Sequence, residues 1–375
     1  MEVIISIGTR AELIKTAPFM LELQRRGHDY YFISTGQHNL KPLCKEFGVR
    51  PPDEEMTEPQ KGSSKFLGKT GKAIVWNISL VKKIRRAVNR INKDAEYDYV
   101  VYHGDTMSTT SSAIATSRAL NPGKKYKNVH LEAGLRSHSI LEPFPEEISR
   151  IYCDLFSDVL IAVTDTTVKN LSKPWYRGEI VKAGNTIVDA AHLAYKISKK
   201  KRFKRPKGKY VLANVHRHEN IKSKNRLSRI VDIINMVPVR VIWPLHDNTK
   251  KYLIKYGLWE KIERNKNIKI TKLKGYFEFV YLIKHAKLLI TDGGGIQEES
   301  LAFKVPALLV RKRTERVEGL STGINFLTKL DLNYSKKVID TVLNKGWKVP
   351  KFKNPYGEPG VTKLVVKKLE EMARR

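Results

Sequence analysis

Short apolar runs alternate with stretches of helical periodicity along almost the whole chain, and this alternation limits the possible folds more than any other feature. In the first half the runs Glu2–Ile7, Tyr30–Ser34, Tyr99–Tyr102, Val129–Glu132, Val159–Val163 and Ile180–Ala183 read as strands. Between them apolar residues recur at helical spacing, as in Ala11–Arg25, where Leu13, Ile14, Pro18, Leu21 and Leu23 form one side. The second half repeats the pattern with Tyr210–Val215, Val239–Trp243, Ile268–Thr271, Leu288–Thr291 and Ala307–Val310, and a last helix is expected over Val361–Ala373. Such alternation implies α/β architecture built on parallel, doubly wound sheets.

A chain of 375 residues with 41% hydrophobic content can bury two ordinary cores. The expected division is an N-terminal Rossmann-like domain over 1–190, a connection over 191–209, a second Rossmann-like domain over 210–355, and a C-terminal helix over 356–375 that packs back on the first. The connection is read from Lys199–Lys209, which lies in a stretch without acids between Asp189 and Glu219. Like charges at this density repel one another, and Pro206 and Gly208 punctuate the run. In sheets of this kind ligands sit at the carboxyl ends of the strands, so a cleft between the two lobes is the expected site.

Charge is the unusual property. Lys and Arg number 70 against 38 acids, a net +32, far more than an anionic substrate needs. The cations are scattered, dominated by lysine and accompanied by no zinc-finger or RNA-binding signature, which points away from nucleic acid. A weak electrostatic association with an anionic membrane surface is the alternative use for the excess. No apolar run approaches the roughly 18 residues that would span a bilayer. The first residues form a strand without a basic leader, and Cys44 and Cys153 are the only cysteines. The expectation is a reduced, cytoplasmic protein without structural zinc.

Chemistry gathers at the predicted strand ends. Leu288–Thr291 runs into Asp292-Gly293-Gly294-Gly295 and straight on into a helical pattern. Bare backbone N–H groups at a helix start suit a phosphate or diphosphate, although close packing of strand and helix would also call for glycine. Glu298 and Glu299 follow, available to sugar or ribose hydroxyls. The first strand ends in Gly8-Thr9-Arg10, where Arg10 could meet an anion; this is not the dinucleotide GxGxxG. Asp105, Glu132 and Glu146 stand at strand ends or a helix start within about forty residues. Grouped acids raise one another's pKa, a route to proton donors and acceptors at neutral pH. Asp105 could equally cap the following helix, and acids in a first helical turn suit the dipole. His216-Arg217-His218 follows Tyr210–Val215 and reads better as a phosphate contact than as a metal site, since no third ligand accompanies the histidines.

Eleven segments stand in the order found in the non-hydrolysing UDP-N-acetylglucosamine 2-epimerases, which the chain resembles over nearly its full length. They are Gly8–Lys15, Gln37-His38, His103–Thr106, His130–Arg136, Pro145–Arg150, Gly184–Asp189, His216–Asn220, His246–Asn248, Asp292–Glu299, Thr314–Arg316 and Asn354–Gly357. The resemblance implies two Rossmann domains in a glycosyltransferase-B arrangement, a UDP-sugar substrate, a homodimer, no redox cofactor and no metal. It further implies removal of the C2 proton, anti elimination of UDP, and re-addition with the proton on the opposite face. Asp105, Glu132 and Glu146 match the catalytic carboxylates, with base and acid unassigned. His216 and Arg10 match residues at the diphosphate, Gly294 and Gly295 its binding turn, Glu299 the ribose contact and Phe279 an aromatic near uracil. Lys15, Arg136, His246 and Arg316 are further substrate-binding candidates. Serine is expected where Gly293 stands, which removes a hydroxyl donor, and Lys61–Lys72 differs from the family's allosteric loop. The rival readings are a hydrolysing epimerase and a UDP-sugar glycosyltransferase of the same fold acting on a membrane-linked acceptor.

Overall fold

The computed structural model describes residues 1–57, 70–137 and 145–374, with side chains for all of these except 70–75. Lys61–Lys72 therefore lies outside the described residues as far as position 69. The chain divides into two compact units, Met1–Ala190 with Tyr356–Arg375, and Ala191–Pro355.

The first unit contains β1 (Glu2–Ile7), α1 (Arg10–Arg25), β2 (Asp29–Ser34), α2 (Lys41–Phe47), β3 (Glu54–Glu55), α3 (Thr70–Asp94), β4 (Tyr99–His103) and α4 (Met107–Ala115). It continues through β5 (Lys127–Ala133), α5 (Glu146–Leu155), β6 (Val159–Ala162), α6 (Asp165–Leu171) and β7 (Glu179–Lys182) to the start of α7 (Ile187–Lys200). Among the described residues its strands lie in the order β3-β2-β1-β4-β5-β6-β7, with every pairing parallel. The order reverses between β1 and β4, the place where such sheets open a crevice at the strand ends.

The second unit holds β8 (Tyr210–Asn214), α8 (His218–Ile221), α9 (Lys224–Asn235), β9 (Arg240–Pro244), α10 (Asp247–Lys255), α11 (Trp259–Glu263) and β10 (Ile268–Thr271). There follow α12 (Tyr276–His285), β11 (Leu288–Thr291), α13 (Gly294–Phe303), β12 (Ala307–Leu309), β13 (Asn325–Leu327) and α14 (Leu332–Leu343). The parallel order β10-β9-β8-β11-β12-β13 repeats the plan, with its reversal between β8 and β11.

The last helix, α15 (Val361–Ala373), belongs to the first unit and packs on α1. Glu370 takes Arg26 at 2.7 Å and His28 at 2.6 Å, while Asp189 accepts the backbone N–H groups of Gly360 and Thr362. Within the run read as a basic connection, residues 191–200 are helical, because α7 continues through Lys200. Cations in a last helical turn favour the helix dipole, so like-charge repulsion does not end the helix there.

Candidate active site

In the first unit the carboxylates arrive on the carboxyl ends of two neighbouring strands. β4 ends at His103, and Gly104 turns the chain with φ +82°. His130 Nε2 donates to the Gly104 carbonyl at 2.8 Å and fixes that turn. Thr106, not Asp105, caps α4, its Oγ1 accepting from Thr109 N at 3.2 Å. Asp105 turns instead to the buried Arg150 of α5, whose Nε and Nη2 donate to its Oδ2 at 2.9 and 2.6 Å. The same guanidinium reaches Glu147 at 3.1 Å, and Glu147 accepts from Ser137 N at 2.8 Å. Glu146 opens α5 half-buried, one turn before Arg150 and on the same helix face.

Glu132 sits where β5 shifts register between Leu131 and Ala133, and it holds φ +68°. This left-handed conformation is unfavourable for a residue with a Cβ and aims the side chain away from the strand's regular alternation. The carboxylate is 3% exposed and pairs with Lys15 Nζ from α1. Asn185 Nδ2 donates to it at 3.1 Å, and His103 Nε2 lies 3.7 Å away. Burial drives the His103 pKa down to about 3, with Glu132 opposing and Lys15 adding to the fall, so the imidazole is neutral. Each of these two acids meets a cation from another element. Asp105 meets Arg150, and Glu132 meets Lys15.

Glu12 joins the two central turns. Its carboxylate accepts from the N–H groups of Gly8 and Thr9 at 2.8 and 2.7 Å, and from Thr106 Oγ1 and Thr109 Oγ1 at 2.5 and 2.7 Å. A Cβ on Gly8 would fall 1.8 Å from Thr35 Oγ1, so glycine is required for packing at the end of β1. Arg10 is the exposed first residue of α1. Arg136 is held by Asp154 at 2.7 Å and Tyr176 at 2.6 Å.

In the second unit the buried Asp292, after β11, organises the turn after β8. It accepts from His216 N at 3.1 Å, Arg217 N at 3.0 Å and Asn220 Nδ2 at 3.0 Å. His216 Nδ1 faces two acceptors, Asn214 Oδ1 at 3.0 Å and Asp292 Oδ1 at 3.5 Å. The proton of the neutral ring therefore belongs on Nδ1, leaving the Nε2 lone pair available. The ring stacks on His246, centroids 4.6 Å apart and planes 22° apart. Burial lowers the His216 pKa against the pull of Asp292, and lowers that of His246 to about 4, with His216 adding to the fall.

The three glycines after β11 have three different reasons. None has a positive φ, so backbone conformation does not demand them. Gly293 is the N-cap of α13, and a Cβ there would lie 3.0 Å from the tip of Ile296. A Cβ on Gly294 would come within 2.8 Å of Arg316 Nη1, a packing requirement. A Cβ on Gly295 would meet no atom within 4 Å, so packing does not explain that residue. Arg316 is buried between Glu298, at 3.1 Å from its Nε, and Glu315. Glu299 is also buried and accepts from Tyr276 Oη at 2.8 Å. Burial, with that carboxylate adding to it, holds the Tyr276 hydroxyl well above its ordinary pKa. Phe279 stands half-buried one turn after Tyr276 on α12. Among the described residues no group of three His, Cys, Asp or Glu side chains could hold a metal ion.

The sequence profile of the UDP-N-acetylglucosamine 2-epimerases matches residues 21–370. The chain belongs to this family. It is 33% identical to the UDP-N-acetylglucosamine 2-epimerase of Methanocaldococcus jannaschii, over 95% of each chain. The enzyme of that name from Methanococcus maripaludis is also 33% identical, over 96% of each. A crystal structure of the M. jannaschii UDP-GlcNAc 2-epimerase in complex with UDP-GlcNAc and UDP superposes with a TM-score of 0.79. It has 31% identity and covers 99% of this chain and 100% of that one. The fold anticipated from the alternating pattern, two parallel-stranded α/β sheets, is the fold of these epimerases.

Several residues that shape the site in this epimerase were not singled out by their sequence pattern. Arg150 had a signal, since it stands four residues after Glu146 and so shares its helix face. Asp292 lay inside the glycine segment, but its role as an acceptor for the β8 turn appears only when β8 and β11 pair. Glu12 and Asn185 lay inside the segments Gly8–Lys15 and Gly184–Asp189 without a signal of their own, and Asn214 gave none.

Proposed function

We propose that this epimerase inverts C2 of UDP-N-acetylglucosamine to give UDP-N-acetylmannosamine, without hydrolysis and without an electron acceptor. One carboxylate removes the C2 proton, the C1–O bond breaks, and UDP leaves with that electron pair. The resulting C1–C2 double bond takes a proton at C2 from the opposite face as a UDP oxygen returns to C1. Inversion needs proton-handling groups on both faces of one carbon. The observation that carries the reading is that Asp105 and Glu132 stand at the carboxyl ends of adjacent strands, each oriented by a cation from another element. General acid and base steps of this kind each contribute roughly 10²–10⁴-fold.

In this reading the N–H groups at the start of α13 receive the diphosphate, with His216 beside it. The negative charge of departing UDP is stabilised by those donors and the helix dipole. Glu299 and Phe279 serve the nucleoside, while Lys15 keeps Glu132 in position. Proton NMR of UDP-GlcNAc incubated with the protein in deuterated buffer tests the proposal. The expected result is a C2 epimer with deuterium at C2. Retention of the C2 proton through turnover overturns the elimination route, and release of free N-acetylmannosamine with UDP overturns the non-hydrolysing assignment.

A further inference from the structure

The charge excess has a place in the second unit, at the strand edge opposite the glycine turn. Lys209 immediately precedes β8 and Lys287 immediately precedes β11, so both lie at the amino ends of the central strands. Around them are two open grooves of about 300 and 450 Å³ that share these two lysines. Lys284, Lys304 and Lys345 line the first groove and Arg205 the second, and neither lining includes an Asp or Glu. None of these six cations has an ion-pair partner among the described residues. Lys284 makes only a cation–π contact, 5.3 Å from the Phe303 ring centroid.

Two stretches without acids, far apart in sequence, meet here. One spans residues 190–218 and contributes Arg205 and Lys209; the other lies between Asp340 and Glu358 and contributes Lys345. The second reads Lys345-Gly346-Trp347-Lys348-Val349-Pro350-Lys351-Phe352-Lys353, lysines interleaved with apolar and aromatic residues. Trp347 lines the groove, and Val349 is 38% exposed. Lys304 holds φ +55° at the end of α13, a position where glycine would relieve the backbone. Lysines carry a compact charge on a flexible stem, and residues such as Trp settle at the headgroup level of a bilayer. No described helix is long and apolar enough to cross a membrane.

We propose that this edge of the second unit is a docking surface for an anionic phospholipid membrane. Attachment is peripheral, through headgroup phosphates and carboxylates. It leaves the strand ends that carry Asp292 and the glycine turn facing away from the lipid. Each lysine brought near such a surface strengthens binding by about 5-fold.

The test is co-sedimentation of the full chain with vesicles of phosphatidylcholine alone or with about one-third phosphatidylserine, at rising salt. The expected result is binding to the anionic vesicles only, lost as salt rises. The variant K209E/K287E/K304E should bind on the order of 100-fold more weakly. A second variant, K345E/K348E/K351E, lies outside regular structure and reads the same surface should the first fail to fold. The control K224E/K251E/K266E changes net charge equally at exposed positions elsewhere in the unit and should retain most binding. Equal loss in control and patch variants, or no preference for anionic vesicles, overturns the proposal. Tighter, salt-sensitive binding to an RNA or DNA oligonucleotide than to the vesicles would overturn it in favour of nucleic acid.

Discussion

Replacing Gly295 with alanine separates the two reasons for glycine at the start of α13. The residue lies in the first turn of the helix with an ordinary φ, and an added Cβ would meet no protein atom within 4 Å. On conformational grounds alone the substitution therefore stabilises the protein by about 0.4–1 kcal/mol. For a unit of this size that is a rise in Tm of roughly 1–4 °C. If the turn receives a diphosphate, the same methyl group stands where phosphate oxygens approach the backbone. Losing one N–H bond to a charged oxygen costs about 1.5–3 kcal/mol, which is roughly 10- to 150-fold in Kd. Gly295→Ala is thus expected to raise Tm in the absence of ligand and weaken UDP binding, read by scanning calorimetry and by titration calorimetry. Gly294→Ala should lower Tm instead, because its Cβ would lie 2.8 Å from a buried guanidinium. A Gly295→Ala variant that binds UDP within about twofold of the parent would refute the phosphate reading of this turn.

Asp105→Asn is expected to abolish epimerisation while leaving UDP affinity nearly unchanged; loss of both would assign the residue a structural role with Arg150. Asn214→Leu removes the nearer of the two acceptors facing His216 Nδ1–H, and turnover should fall about 10- to 100-fold with a displaced pH profile, since outer groups of this kind set ring orientation. The folded-state pKa of His103 is about 3, below its unfolded value of about 6.5. The unfolded chain then binds the extra proton, so stability is full above that unfolded value and falls as acid carries the pH towards 3. The loss is up to about 5 kcal/mol, and His103→Gln should flatten this limb in chemical denaturation measured across pH. Gly293→Ser should bind UDP more tightly than the parent, since φ −72° and ψ 142° suit a serine N-cap and its hydroxyl adds a donor.

Much of the strand pattern was legible because buried parallel strands are apolar throughout, as in Tyr99–Tyr102 and Leu288–Thr291. Two edge strands were not. β3 is the pair Glu54-Glu55 and β13 is only Asn325–Leu327, each too short to carry a period. The candidate acids were visible as strand-end carboxylates, but their partners were not. Arg150 reaches Asp105 across 45 positions and Lys15 reaches Glu132 across 117, distances over which sequence spacing carries no geometry. The glycine turn was ambiguous as sequence because three identical letters conceal a cap, a packing contact and an open approach.

Glu132 is the one residue of this set held against its own backbone preference. A glycine there would relax φ +68° and remove a strain on the order of 1 kcal/mol. The same change would leave the largely buried Lys15 without its carboxylate, a cost of about 3–5 kcal/mol, so a screen for thermal tolerance alone should not recover Glu132→Gly. The ion pair to Lys15 thus over-determines a backbone conformation that the residue alone would not adopt, and heat resistance and turnover depend on the same carboxylate.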